Sequence, residues 1–160
     1  MKKLIWIIII LVGILAVVLY FKNIENKFGS LGSQDKTETV SGSSMKVNGN
    51  TINLLIAQTE EEKEKGLGGR ESLDENTAML FVFDRPDLWG IWMKDMQFPL
   101  DVIWLDENKK IVFVEENISP DTFPETYYTT VPSEYVIEAN ANFISKNNLK
   151  VGDTLDLTLN

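Results

Sequence analysis

Lys94 and Asp101 interrupt a strongly apolar stretch on either side of Pro99. A charge in such a segment is tolerated only with a partner. A turn at Pro99 between two apolar strands would bring both side chains to one mouth of a sheet. There they would pair with each other or cap backbone groups, or they would serve a ligand. In the second reading Lys94, helped by Arg70, hooks a carboxylate, phosphate or acidic sugar, while Asp101 orients the ligand or takes a proton. Trp89, Trp92 and Trp104, with Phe98, are either core aromatics or a flat wall for stacking a ring. Tyr127 and Tyr128 fall in a Pro-bounded loop, where exposed contact residues are expected. The candidate ligand-binding set is therefore Lys94, Asp101, Arg70, Trp92 and Tyr127.

Other chemistry is excluded by what the chain lacks. Its 160 residues contain neither Cys nor His. No disulfide, Cys nucleophile, imidazole-based triad or His/Cys metal site can be built from it. The acidic residues Glu115, Glu116, Asp121 and Glu125 follow no EF-hand spacing, so no metal and no cofactor is implied. The formal net charge of −9 makes a nucleic-acid partner improbable, because phosphate backbones are repelled.

The segments that must hold these residues divide into three. Leu4 to Phe21 runs without a charge, and as a helix it would span roughly 27 Å, close to the thickness of a bilayer's hydrocarbon. Trp6, Tyr20 and Phe21 suit an interfacial belt, and no small-x-small cleavage site follows. Residues 1–22 are expected to be an uncleaved membrane anchor, with the N-terminus cytoplasmic and the remainder outside. Residues 23–44, rich in Ser, Gly and Thr with balanced charges, read as a flexible tether of roughly 25 Å. Residues 45–160 form one acidic domain.

Strand signals recur in that domain at Thr51–Ala57, Ala78–Phe83, Leu88–Met93, Leu100–Leu105, Ile111–Val114, Tyr135–Glu138 and Thr154–Leu159. Asp106 to Lys109 reads as a hairpin turn. One helix starts at Thr59, with Glu62 completing a capping box and Gly66 as its stop; a second covers Ala141–Lys146. Several strands are apolar on both faces, so both sides of the sheet must be covered. The expected architecture is α+β and β-rich, a small closed or nearly closed barrel-like sheet with two short helices.

The run Trp92-Met93-Lys94-Asp95-Met96-Gln97-Phe98-Pro99-Leu100-Asp101-Val102-Ile103-Trp104-Leu105-Asp106 resembles the signature of the domain of unknown function 192 family. Glu62 to Leu67, Arg70 to Leu73, Met79 to Phe83, Tyr135 to Glu138 and Val151 to Asp153 match in order, so the similarity covers about residues 52–158. The resemblance implies a small exported or membrane-anchored prokaryotic domain with no established activity. Two departures stand out. Gly68-Gly69 replace a bulky pair, which should loosen that loop. The loop from Ser119 to Tyr127 lacks the Cys pair of some members.

Three functions remain open: a binding module for a small molecule, glycan or protein, an envelope enzyme using Lys94 or a carboxylate, and an acidic partner-docking protein. The first is expected.

Overall fold

The structure is a computed structural model, and residues 42–160 are described. The expected anchor and nearly all of the expected tether lie outside the described residues. Among the described residues no helix is long and apolar enough to cross a membrane.

Nine strands form. β1 (Ser44–Val47) and β2 (Asn50–Ala57) make a hairpin across Asn48-Gly49, both with positive φ. α1 (Glu60–Lys65) then crosses over to β3 (Thr77–Asp87), which runs parallel to β2. β4 (Gly90–Trp92) is followed by the long strands β5 (Leu100–Leu105) and β6 (Ile111–Ile118). β7 (Thr126–Tyr128), β8 (Ser133–Asn140), α2 (Phe143–Lys146) and β9 (Asp156–Thr158) complete the chain. Seven strands join in the order β6-β5-β8-β3-β2-β1-β9, and β4 pairs with β7 in a separate ribbon.

The capping box of α1 is built as its sequence demands. Thr59 Oγ1 accepts from the Glu62 N–H at 3.2 Å, and the Glu62 carboxylate accepts from Thr59 N–H at 2.9 Å. The backbone N–H groups of Thr59 and Gln58, each donating to this carboxylate at 2.9 Å, hold the Glu62 carboxyl below its ordinary value. The Asp106 turn also forms, its side chain accepting from Asn108 and Lys110. α2 is shorter than expected and starts after Asn142.

Both faces of the large sheet are covered, as the two-sided apolar strands require. All six residues of β5 are buried. Ile103, Leu105, Ile137 and Leu80 face one core with Phe143 and Ile144 of α2. Val102, Trp104, Val136 and Phe81 face the other, with Leu67, Ile91 and Met93.

Closure into a barrel is not found. The edge strands β6 and β9 share no ladder; the segments beside them are linked by an isolated bridge between Lys110 and Thr154 and by backbone hydrogen bonds of Ile111 with Gly152 and Asp153. β9 is three residues long, too short to pair along the eight residues of β6. The expected hairpin about Pro99 is also absent. β4 pairs with β7, whereas β5 pairs with β6 and β8.

Candidate functional site

Asp101 is fully buried, and its contacts explain why a charge sits in β5. Oδ1 accepts from the N–H groups of Asn117 at 2.9 Å and Asn142 at 3.2 Å, and Oδ2 accepts from that of Ile144 at 2.8 Å. Three backbone donors from β6 and the start of α2 thus converge on one carboxylate. Of the two readings, this is the backbone cap, and it leaves Asp101 on the α2 side of the sheet.

Lys94 lies on the other side. Its Nζ is 3.1 Å from Glu64 Oε1 and 5.4 Å from the centre of the Trp92 ring. The loop that carries it is tied to the segment after α1, where Gly69 N–H donates to Asp95 O at 2.8 Å. Gly68 is buried there, and a Cβ would sit 2.8 Å from Lys65 O and 3.0 Å from Lys94 O. Gly68 therefore permits close backbone contact, while Gly69 takes a positive φ of 79° with open space beside it. Arg70 ends this turn, with its N–H donating to Leu67 O, and it is half-buried.

The aromatic wall reduces to one tryptophan. Trp104 is fully buried with its indole N–H bonded to Trp89 O, and Trp89 stacks on Phe83 with ring centres 4.1 Å apart. Trp92 remains exposed, in edge contact with Phe123. In the ribbon Tyr127 pairs with Ile91 and packs toward the core, leaving Tyr128 on the outer face with Trp92.

The residue missed by sequence reasoning is Glu138. It is paired with Val102 across β8 and β5, on the face opposite Asp101, and is 4% exposed. The backbone N–H of Leu67 donates to it, while its Oε2 has no hydrogen-bond partner. Burial pushes its carboxyl up to about 8, outweighing that one hydrogen bond. Glu138 lines a cavity of about 40 Å³ bounded by Gly66, Leu67, Phe81, Ile91, Trp92 and Lys94. A Cβ on Gly66 would lie 3.4 Å from Oε2, so the space beside the carboxyl depends on that glycine. The available signal was the charge ending the apolar run Tyr135-Val136-Ile137.

The site thus gathers Lys94 and Trp92 of the expected set and adds Glu138. A neutral, desolvated carboxylic acid in a small cavity can donate a hydrogen bond or exchange a proton. Among the described residues no group of three or more acidic side chains is placed to hold a metal ion.

Two solved structures share the fold. A protein of Sinorhizobium meliloti 1021 described as a candidate transcription regulator aligns with a TM-score of 0.67 and 24% identity, over 72% of this chain and 92% of its own. A protein of unknown function from Novosphingobium aromaticivorans DSM 12444 aligns with a TM-score of 0.65 and 23% identity, over 72% of this chain and 83% of its own. No curated protein matches. The family profile of DUF192, described as an uncharacterized ACR, matches residues 43–157. With its signature run, its Gly66 turn and its buried Glu138 all inside that span, the chain belongs to the DUF192 family.

Proposed function

We propose that the domain is a binding module whose site is the Glu138 cavity, with Lys94 and Trp92 at its mouth. The observation that carries this reading is the unpartnered Oε2 of a buried carboxyl facing a cavity. A buried polar atom without a partner costs about 1–3 kcal/mol, and a ligand that supplies the missing hydrogen bond recovers part of that. The acid is protonated at pH 7, since its carboxyl is raised to about 8. Its complement is a neutral acceptor such as a carbonyl or hydroxyl. Residues 1–22 would hold the domain at the outer face of a membrane, which protease treatment of intact cells tests: the domain should be cut away.

Titration of the full-length chain with acetamide, monitored at the 13C-labelled Glu carboxyls, tests the binding reading. A saturable shift at Glu138 that persists as an amide shift at the same site in Glu138→Gln, and is lost in Glu138→Leu, is expected. Absence of any response at Glu138 would remove the reading.

An enzymatic role rests on the same carboxyl, because a group that titrates near neutrality suits general acid or base work. Binding that survives Glu138→Gln while turnover of a bound ligand ceases would favour it.

A further inference from the structure

We infer that the Glu138 cavity and the outer face of the β4–β7 ribbon form one site for a neutral N-acetylated sugar chain: the ring lies on Trp92 and Tyr128, and its acetamido group enters beside Glu138. The inference rests on the binding reading above and specifies its ligand.

The ribbon supplies the first half of the argument. Gly90 pairs with Tyr128, Ile91 with Tyr127 and Trp92 with Thr126. Side chains alternate across a strand pair, so Ile91 and Tyr127 turn inward while Trp92 and Tyr128 share the outer face. Tyr128 is 59% exposed, Trp92 40% and the neighbouring Phe123 46%. Exposed rings gathered on one short ribbon lose the gain that burial would give them. Gly90 shapes this face, because a Cβ there would collide with the Tyr128 ring, which lies against the glycine backbone. The outcome is an exposed aromatic surface, and an aromatic face attracts the electropositive C–H face of a sugar ring.

Size and charge supply the second half. Gly90 and Trp92 belong to the ribbon and also line the Glu138 cavity, so Trp92 borders both. A space of about 40 Å³ holds a few atoms and not a ring. The ring must stay outside, on the aromatics, while a side group goes in. Glu138 needs an acceptor, and on a neutral sugar the acetamido carbonyl is the strongest one. Residues 45–160 carry 10 basic and 21 acidic residues, a net charge of −11 that disfavours phosphate-bearing or polyanionic ligands. Lys94 does not reverse that, because Glu64 at 3.1 Å already neutralises it.

The test compares two β-1,4 tetrasaccharides that differ in their acetamido groups, chitotetraose and cellotetraose, by calorimetry and tryptophan fluorescence on the full-length chain at pH 7. Chitotetraose should bind at least tenfold more tightly. Trp92→Ala and Tyr128→Ala should each weaken it at least tenfold with an unchanged melting temperature. Glu138→Leu should bring the two sugars to equal affinity, and Glu138→Gln should keep the preference. Equal binding of both sugars to the unaltered chain would overturn the inference. So would binding of neither while acetamide still shifts Glu138, in which case the cavity reading stands. If acetamide too leaves Glu138 unmoved, both fall together.

Discussion

Asp101 and Glu138 occupy neighbouring strands, one register step apart, and each is almost wholly removed from water. They differ in what meets them. Asp101 faces the α2 side and accepts three backbone hydrogen bonds of 2.8–3.2 Å. Glu138 faces the α1 side, accepts one backbone hydrogen bond and leaves Oε2 unpartnered beside a cavity. Burial alone therefore does not distinguish a structural carboxylate from one available for chemistry. The count of satisfied oxygens does, because a buried oxygen that accepts hydrogen bonds has its lost water replaced and one without a partner does not.

The sharpest way to break this contrast is to remove the fully bonded group. Asp101→Ala should cost about 3–5 kcal/mol in urea unfolding, since three buried N–H groups lose their acceptor. A loss below about 1 kcal/mol would mean that Asp101 does not staple β6 to α2.

Glu138→Gln should act in the opposite direction and depend on pH. The folded carboxyl is raised to about 8 from an ordinary value of 4.5. Below pH 4.5 the acid is protonated in both states, so its contribution is whole. As pH rises the unfolded chain releases the proton first, and stability falls by about 1.4 kcal/mol per unit at the steepest until the folded group also ionises near 8. The glutamine variant has no such loss. Its stability relative to the unaltered chain should thus climb between pH 4.5 and 8, by about 3 kcal/mol once water entry into the cavity is allowed for. Parallel pH profiles for the two proteins would contradict the burial of a neutral acid.

Thr59→Ala sharpens the comparison by loosening only the helix on the Glu138 side. Loss of the capping box should cost about 1 kcal/mol. Amide hydrogen exchange should quicken in α1 and at Leu67 while Asn142 and Ile144, bonded to Asp101, stay protected. Equal quickening at both helices would show that the two sides do not open separately.

The smallest effect is expected at Lys94. Its ion pair with Glu64 is solvent-exposed, so Lys94→Ala should change stability by less than about 1 kcal/mol in the same urea assay. A larger loss would make Lys94 a framework residue like Asp101.

Local features were legible where neighbours in sequence are also partners in space. The capping box at Thr59 and Glu62, the Gly66 stop and the Asp106 turn each involve groups within four residues. The two-sided apolar pattern of β5 foretold a sheet covered on both faces. The site was less legible. Lys94 and Asp101 are close in sequence, yet β4 leaves for β7 while β5 enters the large sheet, and the two end on opposite sides. Glu138 and Leu67 are far apart in sequence and meet through backbone contact, which no side-chain pattern records.

The chain by itself determined which chemistries are impossible, since residue types that are missing cannot be supplied by folding. It also determined the strand periodicity, the helix caps and the acidic charge, which depend on composition and short-range geometry. Only the tertiary structure decided which carboxyl is satisfied, which tryptophan reaches solvent and whether the sheet closes. Those outcomes turn on strand order and on donors brought from distant segments, and burial has no energetic sign for a carboxyl until its partners are known.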